Sequence, residues 1–450
     1  MTSLTRQIAS HVASTSFQSL PDDVREQAKL VIFDEIACAY FGRRSIAGGL
    51  AARYVKNLAT GPEAHVFGGG FRASAAFAAL ANGTAGHGEE IDGAHTAGGH
   101  PGASIVHAAM ATGEMLRSTG SDLINAVVLG YDVGIRLRWA CGGSFGARRR
   151  LHLHADFLYA LGAAAAASRL MGHNPERICH ALALCTFQSN GLYATYAEQR
   201  HVSKSLCEGQ YAYAGVSAAL MASAGLEGHE DIIGAPSGLL DAWGEEGGRE
   251  IVAGDLGQGF SIMNACFKFF NAGYPIHASL EGALSLVRKH EIAPEEIAGI
   301  EVAMNASARR IVDERAMHNI CLQDMLAANL ARGGLRLHEE PFPSILDDPL
   351  FRALRERIII KEDPTFQDGK ANRLGARIAI STKAGRMVST IVDHPRGYDA
   401  QGRIGWADLE EKWSGNLQDC DLKTALALAK DLHKVDDVVL FASHFSGVPR

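Results

Sequence analysis

The sequence predicts a mainly α protein, with a large all-helical part and a smaller α+β unit inserted toward its C-terminal end. Apolar residues recur at helical spacing through the first two-thirds of the 450 positions. Near residue 295 the texture changes to short β-branched runs separated by turn residues. From Trp406 the pattern returns to helix, so the α+β unit reads as an insertion. A chain of this length exceeds one ordinary core, which makes two units the expectation: 1–268 with 396–450, and 269–395.

The first helix is expected to follow Ser19-Leu-Pro-Asp-Asp. Ser19 can cap it, Pro21 suits a first turn, and Asp22 and Asp23 complement the helix dipole. Val24, Ala28, Val31, Ile32 and Ile36 then form one apolar stripe. The stretches 73–81, 102–116, 121–138, 161–171, 175–185 and 210–224 follow the same spacing, many of them rich in Ala and Gly, so closely approaching helices are expected. In the second unit, 297–304, 357–362, 375–382 and 386–393 read as strands. Thr382-Lys-Ala-Gly385 turns the last two into a hairpin. Helical patterns lie between the strands at 322–331 and 348–357, with a short helical turn at Pro294-Glu-Glu, and the tail holds 406–413 and 422–432.

Bulk properties exclude several classes. A net charge of -7 gives no basic footprint for nucleic acid, and the only dense basic run is Arg148-Arg149-Arg150. No apolar run reaches the ~18 residues of a membrane helix, and the first residues lack the apolar centre of a signal peptide. Eight scattered cysteines with no Cys-x-x-Cys pair suggest reduced thiols in a cytoplasmic chain. Motifs for nicotinamide, phosphate-loop, serine-hydrolase and zinc-protease chemistry are absent from the sequence.

The most informative stretch is Asn82 to Gly102. It places His87, Glu89, Glu90, Asp92, His95 and His100 among glycines, which suits an acid–base site on a pliable backbone. The alternative is a structural loop whose acids and imidazoles bond each other. Lys204 stands among small and apolar residues before an expected helix, where a lysine can bind a carboxylate, act as a base or simply snorkel at a helix end. Lys268 lies between aromatics at the expected unit boundary, and His277 opens a helix nine residues later. The alternative there is a boundary lysine and a helix-capping histidine. In Leu151-His-Leu-His-Ala-Asp156, His152 and His154 compete to face a cleft, and metal binding by that pair has little support.

Taken in order, these segments resemble the MmgE/PrpD family. The resemblance runs from Ser19-Leu-Pro-Asp-Asp-Val through the Asn82–Asp92 signature with His100-Pro101 and Gly130-Tyr-Asp-Val-Gly-Ile-Arg136. It continues through Gly162–Gly172, Lys204 and Lys268…His277 to Trp406–Trp413, and so covers nearly the whole chain. It implies an all-helical domain with an α+β lid domain, a homodimer, and no metal or organic cofactor. Family activities include 2-methylcitrate dehydratase, cis-aconitate decarboxylase and iminodisuccinate epimerase. All protonate or deprotonate a carbon next to a carboxylate of a small di- or tricarboxylate.

Carried over by position, the signature aspartate becomes Glu90, and a following Asp-Asp pair becomes Asp92-Gly93. A threonine becomes Ala94, a histidine of the decarboxylase branch becomes Gly273, and a tyrosine of that branch aligns with Asp324. The histidine before the Ala-rich helix matches His154 only with a one-residue shift. These losses remove acid and hydroxyl groups that decarboxylation and dehydration would use; they point away from a decarboxylase, weaken the dehydratase reading and favour an epimerase of an iminodisuccinate-like substrate. A 2-methylcitrate-type hydro-lyase is the alternative, and a non-catalytic carboxylate binder a third reading. The expected catalytic residues are His100, Lys268, His154, Glu90 and Asp92. The expected substrate-binding residues are Lys204, Arg136, His95 and His277.

Overall fold

Small residues decide how closely the helices of the first half meet. The computed structural model describes residues 3–143, 152–367, 373–398, 404–417 and 419–447, so the Arg148–Arg150 run lies outside the described residues. Along the chain come α1 (Leu4–Ser14), α2 (Asp22–Gly42), α3 (Ile46–Leu58), α4 (Ala75–Gly86), α5 (Pro101–Leu116) and α6 (Gly120–Ala140). Then follow α7 (Leu158–Leu170), α8 (Pro175–Thr186), α9 (Ser203–Ser223), α10 (Leu239–Trp243) and α11 (Gly248–Ala253). Where α6 crosses α7, a Cβ built on Gly162 would stand 2.5 Å from the Gly130 carbonyl, and one on Gly130 2.9 Å from that of Gly162. Where α4 crosses α9, a Cβ on Gly83 would lie 2.9 Å from Gly209 Cα. Larger residues would push these helix pairs apart and open the layer beneath the site.

Two starts differ from the sequence expectation. Ser19 closes a short 3-10 turn, its hydroxyl donating to the Ser16 carbonyl, and Pro21 takes the cap position of α2. Helix α9 begins seven residues before Gln210, because the Glu198 carboxylate accepts from the backbone N–H groups of Val202, Ser203 and Lys204. That external cap satisfies donors a helix start leaves open and draws Lys204 into the first turn. Helices α1 and α3, capped by the Ser3 and Ser45 hydroxyls, lie outside the stretches expected from spacing.

Two short strands, β1 (Ala64–Val66) and β2 (Phe71–Ala73), pair with each other. A second pair matters more for function. Strand β3 (Ala94–His95) lies antiparallel to β4 (Ala265–Cys266), with Ala94 opposite Cys266. This ladder ties the acidic–His loop to the segment that carries Lys268.

The α+β part contains α12 (His277–Lys289), β5 (Ile297–Met304), α13 (Ala306–Val312), α14 (Leu322–Arg332), α15 (Pro349–Arg355), β6 (Ile358–Glu362), β7 (Ala376–Thr382) and β8 (Met387–Val392). Its sheet order is β6-β5-β7-β8, with β5–β6 parallel and the other pairs antiparallel. The expected β7–β8 hairpin forms; the Thr382 N–H meets the Arg386 carbonyl, and Gly385 takes φ +81°. Ile300, Val302, Ile378 and Ile380 join Leu280, Leu326 and Phe351 in a core of their own. The tail helices α16 (Trp406–Trp413), α17 (Leu422–Lys430) and α18 (Val438–Ser443) return to the helical part, where Trp413, Leu426 and Phe441 share one core with Phe33 and Tyr40 of α2. No helix among the described residues is long and apolar enough to cross a membrane. All eight cysteines are free thiols.

Candidate active site

Helix α4 ends at Gly86 and α5 begins at Pro101, so fourteen buried or half-buried residues must turn between two closely packed helices. Glu90 takes the left-handed backbone conformation at φ +54°, which costs energy for a residue with a side chain. Its surroundings hold it there. Oε1 accepts from His201 Nε2 at 2.9 Å and from Lys204 Nζ, and Oε2 accepts from Lys268 Nζ at 2.7 Å. Lys268 also donates to the Glu90 carbonyl at 3.0 Å. His201 Nδ1 in turn meets the Ser205 hydroxyl at 2.7 Å.

Asp92 is the second centre. Its oxygens lie 3.0 Å from His87 Nδ1 and 3.1 Å from His100 Nδ1, with Lys268 Nζ at 3.6 Å. His87 Nε2 contacts Lys204 Nζ, which closes the network. His100 directs Nδ1 to Asp92, and its Nε2 lies 3.9 Å from Glu90 Oε2. The backbone N–H of His100 donates to Asp156, which pairs with Arg138 at 2.8 Å in a fully buried ion pair.

Burial and charge set the protonation states. Burial alone would raise the Glu90 carboxyl, but Lys204, then Lys268, hold it well below the usual carboxylate range. Burial opposes Asp92 ionisation as well, and His87, His100 and Lys268 reverse the effect. His87 and His201 are pushed down to about 4 by burial, so both rings are neutral near pH 7. The ligand atoms of His87, Glu90, Asp92 and His100 converge within 4.8 Å, a spacing a metal ion could use. Here Lys204 and Lys268 already neutralise Glu90 from within the same space.

A cavity of about 80 Å³ opens on this cluster. Glu90, His95, His100, Tyr196 and Lys204 form one wall, and Gly273, Tyr274, Ile320 and Arg373 another. Glu89 turns away from it. That carboxyl, raised to about 8 by burial and then by Glu340, faces a separate cavity of about 650 Å³.

The structure brings together Glu90, Asp92, His100, Lys204 and Lys268. Of the competing pair, His154 is buried with its ring against Tyr196, whereas His152 is exposed. The three other expected binding residues are engaged by the protein itself. Arg136 is held by Asp132, Asp255 and the Gly254 carbonyl on the α6–α11 side, because residue 136 presents its side chain to α11. His95 lines the cavity with both nitrogens in use. Nδ1 accepts from the Ala97 N–H and Nε2 faces the Ser261 carbonyl, while burial takes the ring down to about 4, so it brings no charge. His277 is buried behind the wall, its Nε2 on the Ala272 carbonyl and its pKa lowered to about 3 by burial and then Lys268. Asp324 is engaged by His318 and Arg355, away from the small cavity.

Sequence reasoning missed His201, Arg373 and Glu35. The acid absent at Gly93 has a spatial counterpart: Glu35 of α2 accepts from the Gly93 N–H at 2.9 Å, and a Cβ on Gly93 would stand 2.7 Å from Glu35 Oε1. Burial, then Asp92, raises the Glu35 carboxyl well above its ordinary value.

Comparison with known families decides the relationship. The MmgE/PrpD N-terminal domain matches residues 6–250, and the MmgE/PrpD C-terminal domain matches residues 270–428. The chain belongs to the MmgE/PrpD family. Human cis-aconitate decarboxylase is 23% identical, covering 99% of this chain and 95% of that protein. The Aspergillus terreus enzyme of the same name is 26% identical over 88% of this chain and 85% of its own length. The 2-methylcitrate dehydratase of Salmonella typhimurium is 26% identical over 60% of this chain and 58% of that enzyme. MmgE/PrpD membership accounts for the two-part architecture, and these relatives act on small carboxylic acids as their names state. None of these three is named an epimerase; they are named decarboxylase and dehydratase, which backs the lyase alternative better than the expected epimerase.

Proposed function

We propose that this MmgE/PrpD protein is a hydro-lyase of small tricarboxylates, of the 2-methylcitrate dehydratase type, using its own side chains as acid and base. The Asp92–His100 pair beside the cavity carries this reading. His100 Nε2 takes the proton from the carbon next to a carboxylate. Lys204, on the cavity wall, stabilises the negative charge that develops there, with Lys268 holding Glu90 behind it; a well-placed charge-assisted hydrogen bond contributes about 1.5–3 kcal/mol. The carbon–oxygen bond of the neighbouring hydroxyl breaks, and a proton from Tyr274 on the opposite wall lets it leave as water. Burial raises the Tyr274 hydroxyl well above its ordinary value, so it is a protonated donor at neutral pH. His154 backs Tyr196 and orients that wall. Gly273 lines the cavity where the decarboxylase branch of the resemblance carries a histidine, which points away from decarboxylation.

The cavity is smaller than the ~300–1,000 Å³ of ordinary ligand pockets. Substrate entry therefore requires the Tyr274–Arg373 wall to move. The separate core around the sheet supports treating 269–395 as that moving unit and 1–268 with 396–450 as the base. An exposed apolar stripe on α3 of Ile46, Leu50, Tyr54 and Leu58 supports self-association as a homodimer.

Proton NMR in D2O tests the proposal, using EDTA-treated protein with 2-methylcitrate, citrate, cis-aconitate and iminodisuccinate offered separately. A new olefin from 2-methylcitrate or citrate is expected. Carbon dioxide release from cis-aconitate without dehydration of the hydroxy acids, or a changed stereocentre in iminodisuccinate alone, would replace it with a decarboxylase or an epimerase.

A further inference from the structure

The charges around the cavity leave a deficit that one residue of the small unit can fill. On the helical side, Glu90 and Asp92 stand against Lys204 and Lys268, two carboxylates against two ammonium groups. Asp156 beneath them is matched by Arg138. The neighbouring His87, His95 and His201 are neutral near pH 7, because burial takes each down to about 4. A substrate with three carboxylates therefore meets two lysines already engaged by carboxylates of the protein, and it needs a further cation to offset the loss of its hydration.

Among the described residues lining the opposite wall, Arg373 is the one Lys or Arg. It stands three residues before β7 and reaches across to the helical part, where Nη2 donates to the Thr96 carbonyl at 2.7 Å. Thr96 directly follows β3 in the acidic–His loop, so this contact joins the two walls at the cavity. The acceptor at Nη2 is a neutral carbonyl. Exchange of that partner for a carboxylate converts a neutral-acceptor bond into a charge-assisted one, and the planar guanidinium fork matches carboxylate geometry.

We propose that Arg373 binds the carboxylate farthest from the Lys204–Lys268 pair, and that it gives this site its preference for three carboxylates over two. The inference rests on the carboxylate-lyase reading above and replaces Arg136, which the fold holds elsewhere. Its route is a partner exchange: the guanidinium leaves the Thr96 carbonyl as the substrate carboxylate arrives, so the same residue that joins the walls senses the ligand.

The test is calorimetric binding of tricarballylate, a saturated triacid with no hydroxyl to eliminate, against methylsuccinate, the diacid that lacks one of its terminal carboxylates. Wild type, Arg373→Met and Arg373→Lys are compared, with thermal melts to confirm folding. Wild type is expected to prefer tricarballylate. Arg373→Met should bind it about 10- to 100-fold more weakly while methylsuccinate binding stays at the wild-type value. Arg373→Lys should fall between, since charge remains but the fork is lost. Equal weakening of both acids would assign Arg373 a merely structural role and overturn the proposal, as would unchanged binding of both or failure of wild type to bind the triacid. Because tricarballylate does not react, Arg373-dependent binding in a protein that dehydrates nothing would sink the hydro-lyase reading and leave this one standing.

Discussion

Two buried carboxylate–lysine sites lie within a few residues of each other and are built differently. Asp34 of α2 accepts from Lys412 Nζ at 2.8 Å on one oxygen and from Trp413 Nε1 at 2.8 Å on the other. Lys412 spends a further donor on the Ile91 carbonyl at 3.2 Å. Burial opposes its charge, yet Asp34 holds the Lys412 ammonium above its ordinary pKa. Every partner is fixed, and neither Asp34 nor Lys412 lines the small cavity. Glu90, one residue before Ile91, instead gathers Lys204, Lys268 and His201, has His87 and His100 at 3.6 and 3.9 Å, and faces open space. The difference separates a pair that pins the loop from a cluster that can move a proton. A structural pair has as many donors as it has oxygens; the candidate site has a surplus of titratable groups and one open side.

That contrast is breakable by substitution. His100→Gln keeps a polar group on Asp92 but removes the base, so turnover of 2-methylcitrate should fall by about 10²–10⁴-fold with little change in the melting temperature. Lys412→Met should do the opposite: it leaves Asp34 charged and buried, at a cost of about 3–5 kcal/mol in urea unfolding, while the folded fraction keeps its kcat. Activity loss without destabilisation in Lys412→Met would merge the two sites into one functional unit.

A third comparison uses acid. His107 of α5 is buried with no hydrogen-bond partner for either ring nitrogen among the described residues, and burial lowers its pKa to about 3. The folded value lies below the unfolded one, so the stability of the neutral ring is complete above about pH 6.5 and drains away as pH falls toward 3. From pH 7 to pH 5 this amounts to about 2 kcal/mol. Unfolding of His107→Phe should depend less on pH in that window by this amount, and an unchanged slope would show that other groups control acid sensitivity. The smallest effect is expected at Arg136→Gln, which should leave the KM of every carboxylate substrate unchanged. A raised KM would restore it to the site.

Much of this was legible in the chain. Period-2 runs and the Thr382–Gly385 turn marked the sheet, and helical spacing marked α2 and α4–α8. The density of acids and imidazoles from His87 to His100 marked the site, because such groups are seldom buried together without a use. Lys204 and Lys268 were legible as lysines in apolar surroundings. Arg136 was misread because residue spacing gives position along α6 but not which neighbour the side chain meets; α11, short and distant in sequence, claimed it. His201, Glu35 and Arg373 reach the site from 111, 58 and 277 residues away in the pairs they form. Nothing local distinguishes them. The helix start at Ser203 was hidden for a related reason, since its cap is Glu198 and not the residue before the first turn.

The most direct test of the central claim is proton NMR of 2-methylcitrate in D2O with wild type and His100→Gln, after both have been shown to bind tricarballylate equally. The account predicts an olefinic product from wild type and none from the variant on the same time scale. Olefin formed at the wild-type rate by His100→Gln would contradict it, and would move the base away from the Asp92–His100 pair.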